Sequence, residues 1–273
     1  MIEFSLTLDD GSSFPLNTSA VSASLKNSTT IGDITISKSS NIVSRSYGDG
    51  SVKVGTSRIG MKQVLIILQF VFSDDNSARE YLNSLFGALR RAEYLVDETN
   101  ELRTRIDFAD QSIAWDDGSY LRLGEASINL NQLVPFWETN EEQELVVSVS
   151  AGVPTPAVID NEGCTETPFV VTVEVEEQAT AVSFVEIQNI EKGRSAFLTV
   201  PDFGLEGFLL LSIDSEEGSC LLENVTAETE IDAQNTFESG TGYFNLFQGV
   251  NTLEVRCAVA ADFTFRYRPR YFV

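Results

Sequence analysis

The chain has 273 residues, 42% hydrophobic and 22% charged, the make-up of a folded protein of one large or two ordinary domains. Lys and Arg number 18 against 41 Asp and Glu, a formal net charge of −23, which disfavours nucleic acid and anionic membrane surfaces as partners. Histidine is absent, so Ser-His-Asp and Cys-His catalysis, His-containing zinc sites and the usual pH switch all fall away, and a structural or binding protein is favoured over an enzyme.

Met1-Ile-Glu-Phe-Ser shows neither a basic stretch nor a long apolar core, so no signal peptide is expected. Ile2, Phe4, Leu6 and Leu8 alternate with polar residues, a half-buried strand closed by a turn at Asp10-Gly11-Ser12. Asn17 to Thr30 is rich in Ser, Thr and Asn and reads as a loop or irregular edge. Ile34 and Ile36 begin a short strand. Ile42 to Tyr47 and Ser51 to Val54 flank Gly48-Asp49-Gly50, a polar hairpin carrying Arg45 and Lys53, with Arg58 following. Met61 to Phe72 is apolar enough for a strand buried on both faces. No run is long enough to span a membrane as a helix.

One strong helix is expected over about 77–91. Ser77 and Glu80 form a capping-box pattern, and Ala78, Tyr81, Leu82, Leu85, Phe86 and Leu89 make one apolar stripe. Arg90 and Arg91 suit its last turn. Strands resume at Ala92–Val96, Leu102–Phe108 and Ser112–Trp115, with a turn at Asp116-Asp117-Gly118-Ser119 leading into Tyr120–Leu130. The segment ends at Leu133-Val-Pro-Phe-Trp-Glu138.

A polar, acidic break at Thr139–Glu144 and a stiff Gly152–Ala157 connector set a boundary near 140–150, giving domains 1–145 and 146–273. The second half reads as an antiparallel β-sandwich. Its strands are expected at 169–176, 183–188, 195–200, 208–213, 219–222, 243–246, 251–259 and 262–267. Charge divides unevenly: 12 basic and 21 acidic residues in 1–150, 6 and 20 in 151–273. Cys164, Cys220 and Cys257 follow no metal-binding spacing and read as buried, reduced thiols. Neither an EF-hand loop nor a phosphate or dinucleotide glycine motif is present, so no cofactor and no metal are expected.

Gly249-Val250-Asn251 reads as a structural turn ahead of the last long strand. Arg266, Arg268 and Arg270 fall at period 2 on one face, with Phe265 and Tyr267 opposite, and Pro269 marks a strand end. That stripe either grips an acidic neighbour or pairs with acids of its own domain. Both tryptophans, Trp115 and Trp137, lie in the first domain. Tyr243, Phe244 and Phe247 have the spacing of a strand core, so a galectin-type sugar site is not expected.

Three patterns together resemble one family. They are Phe4-Ser-Leu-Thr-Leu-Asp-Asp-Gly11, the exit Leu133–Glu138, and Leu246–Leu253 followed by Phe265-Arg-Tyr-Arg-Pro-Arg-Tyr271. In this order the chain resembles the distal tail proteins of long-tailed bacteriophages and related tail-like particles. Gly249, Asn251, Arg266, Tyr267, Arg268, Pro269 and Tyr271 are the signature positions. The resemblance implies a mainly β protein: a β-rich ring domain with one packed helix, then a galectin-like or carbohydrate-binding-module-like sandwich. It implies a non-enzymatic virion component at the tail tip or baseplate, made in the host cytoplasm. A homohexameric ring would join the tail tube protein to the hub, or tail-associated, protein. Receptor-binding or side-fibre proteins would dock outside, and DNA would pass through the lumen without specific binding. A carbohydrate-binding adhesin on the same particle is the alternative, and a cell-wall hydrolase a more distant one. The hairpin positions Arg45, Tyr47, Gly48, Gly50 and Lys53 then read as an inter-subunit arm, because six acidic copies need local cations at their contacts. An acidic lumen wall would also repel DNA phosphates.

Overall fold

The computed structural model describes residues 3–17, 23–25, 41–44, 51–54, 62–71, 75–115, 123–134, 136–175, 182–199, 209–225, 228–239 and 241–271. The chain divides into two compact units, Met1–Asn140 with Phe272–Val273, and Glu141–Tyr271.

The first unit contains β1 (Phe4–Leu8), β2 (Ser13–Pro15), β3 (Ala23–Leu25), β4 (Asn41–Ser44), β5 (Ser51–Val54) and β6 (Lys62–Val71). Helix α1 (Asp75–Arg91) follows, then β7 (Ala92–Asp97), β8 (Leu102–Trp115), β9 (Leu123–Gln132) and β10 (Trp137–Thr139). One antiparallel sheet runs β2-β1-β7-β8-β9-β6-β3, with β10 paired to β8. Phe4, Leu6, Ile66, Leu68, Leu95 and Ile128 join Leu82, Leu85 and Leu89 of α1 in one core. The expected apolar stripe of the helix is therefore the face it buries.

Several boundaries differ from the sequence expectation. The helix is described from Asp75, so Ser77 and Glu80 lie within its first turns and not ahead of them. β6 alternates, with Val64, Ile66 and Leu68 buried and Leu65 and Ile67 half-buried. This is one covered face, as in most antiparallel sheets, and not two. Leu102–Phe108 and Ser112–Trp115 are a single strand, interrupted only by a register shift between Phe108 and Asp110. A bulge bends a strand without ending it. Within the Asn17–Thr30 stretch, Ala23–Leu25 form an edge strand on β6. The strand expected at Ile34 and Ile36 and the turn at 116–119 lie outside the described residues.

The second unit contains β11 (Gln143–Val149), β12 (Thr155–Asn161), β13 (Phe169–Val175), β14 (Phe184–Asn189) and β15 (Arg194–Thr199). It continues with β16 (Leu209–Asp214), β17 (Ser219–Asn224), β18 (Thr229–Asp232), β19 (Gly249–Cys257) and β20 (Ala261–Tyr267). Two antiparallel sheets run β11-β20-β13-β16-β17-β18 and β12-β19-β14-β15. Val171, Val173, Leu211, Phe263 and Phe265 of one share a core with Ile159, Val185, Ile187, Leu253 and Val255 of the other. The sandwich expected from the strand spacing is what forms.

β11 runs through the stretch where the sequence breaks in composition. Its alternating Leu145, Val147 and Val149 belong to the sandwich. Gly152–Ala157 is not a linker. Gly152, at φ +69°, turns the chain into β12, whose Pro156 stands at an edge strand where a missing N–H is tolerated. Tyr243–Leu246 is not a strand either, since Leu246 makes only an isolated bridge to Thr167. β18 escaped the sequence reading because Thr229–Asp232 is exposed throughout and has no apolar alternation. Cys220 and Cys257 are buried as expected, and burial pushes the Cys220 thiol up to about 12 and Cys257 up as well. Cys164 is exposed, in a loop rather than on an inward strand position.

Candidate functional site

In the first unit, the expected arm is a two-stranded ribbon, with Asn41 opposite Val54 and Ser44 opposite Ser51. Lys53 lies on β5, opposite Ile42. Arg45, Tyr47, Gly48, Gly50 and Arg58 lie outside the described residues. The exit segment is a core anchor. Trp137 is buried, and the Phe136 carbonyl accepts hydrogen bonds from Thr104 Oγ1 (2.9 Å) and Gln132 Nε2 (3.1 Å). Glu138 pairs with Arg103 at 3.0 Å, and that guanidinium lies 4.4 Å from the Tyr94 ring centre. At the other signature, Asp10 accepts from the Ser12 N–H (3.0 Å) and hydroxyl (2.5 Å), fixing the turn that Gly11 makes at φ +78°. Arg91, at the end of α1, binds Asp9 and Asp10. The Ser12 bonds, aided by Arg91, hold the Asp10 carboxyl well below its usual range.

In the second unit, Gly249 takes φ +83° and begins β19. The turn reading holds, and Asn251 supplies its mechanism. Buried in the strand, it accepts from the Phe247 N–H (2.9 Å) and donates to the carbonyls of Phe247 and Gly249 (both 2.8 Å). Asn161 works from the neighbouring strand. Its amide donates to the carbonyls of Thr165 (3.0 Å) and Phe247 (3.2 Å), and its oxygen accepts from Thr167 Oγ1 (3.1 Å). Asn189 donates to Asn251 at 3.3 Å. These amides do for loop 241–248 what a partner strand would otherwise do, which is why its aromatic spacing does not produce a strand.

The arginine stripe resolves toward its own unit. Arg266 meets Glu144 at 2.9 Å, Arg268 meets Glu142 at 3.7 Å, and Arg270 meets Glu216. Tyr267 donates to the Asp160 carbonyl (3.2 Å), Pro269 is buried and Tyr271 half-buried. Backbone approach fixes Gly163. A Cβ there would stand 2.6 Å from the Arg270 nitrogen, and the Cys164 N–H donates to the Arg270 carbonyl. The family-signature residues are thus largely internal fastenings.

The sequence reading missed a cleft of about 260 Å³ at the loops of this unit. The cleft is lined by Tyr243, Phe244, Asn245 and Phe247 together with Glu166, Arg194 and Ser215. The signal in the sequence is the polar residue between the aromatics, Asn245, in a run with strand-core spacing. Tyr243 meets Phe237 edge-on at 4.9 Å. The Lys192 ammonium lies 5.3 Å from the Phe247 ring centre. Among the described residues there is no group of side chains able to hold a metal ion, and no helix is long and apolar enough to cross a membrane.

The fold has known counterparts. The Dit (gp 19.1) protein of phage SPP1 superposes with a TM-score of 0.62 at 13% identity, over 97% of this chain and 98% of that one. The fold is that of a Dit protein. Chains of the phage P2 baseplate, in its activated conformation with Ca and with Sr, match at TM-scores of 0.50 and 0.51 with 10% identity and the same coverage. The SPP1 Dit protein is described as a paradigm of the hub adsorption apparatus in phages infecting Gram-positive bacteria. No family model matches the sequence, and no curated protein does. The likeness to Dit spans both units and agrees with the resemblance carried by the three sequence patterns.

Proposed function

We propose that this chain is a structural, non-enzymatic component of a phage tail tip or baseplate. It forms a homohexameric ring that connects the tail tube protein to the hub protein. The observation that carries this reading is the fold likeness to the SPP1 Dit protein along nearly the whole of both chains. Short, shared domains recur in unrelated functions, whereas two units in the same order are a more demanding match. The hairpin of β4 and β5, with Arg45 and Lys53, reaches a neighbouring copy and brings cation to an acidic contact. The second unit supports peripheral receptor-binding or side-fibre proteins. DNA passes the lumen without specific binding, as expected for a wall built from chains of net charge −23.

The test is the mass of the purified full-length protein together with electron images of it. Particles of six times 30.0 kDa with a central hole are expected. A monomer at every concentration, absent also from virions, overturns the reading.

A further inference from the structure

Six basic residues stand among 23 acidic ones between positions 141 and 271. Arg266, Arg268 and Arg270 are held by Glu144, Glu142 and Glu216. Arg256 donates to the Gly152 carbonyl at 2.9 Å and lies over the Phe184 ring. The remaining two, Lys192 and Arg194, sit at the turn joining β14 and β15, and neither forms an ion pair among the described residues. Arg256 also lacks an ion pair among the described residues, but Lys192 and Arg194 stand together at one turn, and of the three only Arg194 lines the cleft. Arg194 lines the cleft, as does the exposed Glu166, and the two do not pair with each other.

We propose that this cleft binds an extended peptide segment of a partner protein. A carboxylate of the segment pairs with Arg194, and the side chain next to it lies beside Asn245 and Ser215, which also line the cleft. Three observations favour a peptide. The cleft, about 260 Å³, falls just below the roughly 300 Å³ at which sites for whole small ligands begin, and it suits an anchor residue with its neighbour. Its rim offers one cation and one anion, which a peptide can satisfy with a carboxylate and a main-chain N–H or basic side chain. Its rings are committed to the protein: Lys192 covers Phe247, Phe237 engages Tyr243, and Phe244 is 7% exposed. A neutral sugar would need an open ring face. The wall is also preformed, because Asn251 binds both main-chain groups of Phe247 and Asn161 its carbonyl. Ordering cost then falls on the segment alone. The proposal does not depend on ring formation.

The probe is a capped pentapeptide library, Gly-X-X-X-Gly in defined pools, titrated into the full-length protein at low salt with fluorescence polarisation as readout. Pools containing Asp or Glu are expected to bind saturably. Replacing the acid by its amide weakens binding about tenfold or more, and Arg194→Glu removes it. Arg194 is exposed, so the variant is expected to fold, and circular dichroism checks this. Glu166→Gln retains the acidic preference. The proposal is overturned if no pool binds, if acid and amide pools bind alike, or if folded Arg194→Glu binds as the native chain does. Neutral oligosaccharides binding in an Arg194-dependent way, without the peptides, overturn it in favour of a sugar site.

Discussion

The two units distribute their buried polar groups differently. In the first, they fasten several separate places, with Ser5 donating to Glu98 at one of them. Asn17 accepts from the Phe4 N–H, Asp97 from Thr99 and Asn100, and Gln132 with Thr104 holds Phe136. In the second, Asn161 and Asn251 converge on one loop, with Asn189 behind Asn251. Scattered fastenings leave the first unit dependent on its apolar helix-on-sheet core. Convergent ones give the second unit a rigid loop with an irregular backbone, and the cleft is built on that loop. A surface that must be irregular in order to bind can still be fixed in shape if buried amides replace the missing strand partner.

The largest effect is expected from Leu85→Ala. Leu85 is fully buried between α1 and the sheet, and its truncation should cost about 4 kcal/mol of unfolding free energy. Calorimetry measures the loss, and limited proteolysis with mass spectrometry assigns it to residues 1–140. If the second unit opens instead, the contrast between an apolar fastening and a polar one is wrong. Asn251→Ala should cost somewhat less, about 3 kcal/mol, because it strands the Phe247 and Gly249 main-chain groups. A double variant with Asn161→Ala should fall short of the sum by about 1 kcal/mol, since both residues serve the same loop. Asn17→Ala with Asn161→Ala should simply add. Additivity within the loop pair would break the claim of convergence.

The sheet-forming parts were legible because burial and alternation coincide there. Phe4, Leu6 and Leu8, the α1 stripe and the strands around Val171, Val185, Val255 and Phe263 could all be read directly. Three kinds of feature could not. β18 has no buried face, so the alternation that marks a strand is missing. Tyr243–Phe247 has strand-like spacing, but its hydrogen bonds go to Asn161, Thr167 and Asn251, residues about 4 to 86 positions away. The roles of Arg266, Arg268 and Arg270 depended on which acids lie across the sheet and at the far turn, Glu144, Glu142 and Glu216, and period 2 does not specify them. The cleft was hidden for the same reason: it needs four loops brought together by folding.

The smallest effect concerns charge at exposed fastenings. In the second unit Arg266 holds the single carboxylate of Glu144, whereas in the first Arg91 holds two, Asp9 at 2.6 Å and Asp10 at 2.5 Å. Exposed pairs contribute little individually, but Asp10 is also bound twice by Ser12. Its folded carboxyl therefore stays ionised well below the usual carboxylate range. A depressed acid stabilises the folded chain above its unfolded pKa, and that contribution fades as pH falls through the folded value. Acid titration of the native chain should thus show a loss of first-unit stability beginning below about pH 4. Asp10→Asn should flatten that part of the curve while leaving the second unit's transition unchanged. An acid limb as steep in Asp10→Asn as in the native chain would mean that the Ser12 and Arg91 contacts fix the shape of the turn without linking its stability to protonation.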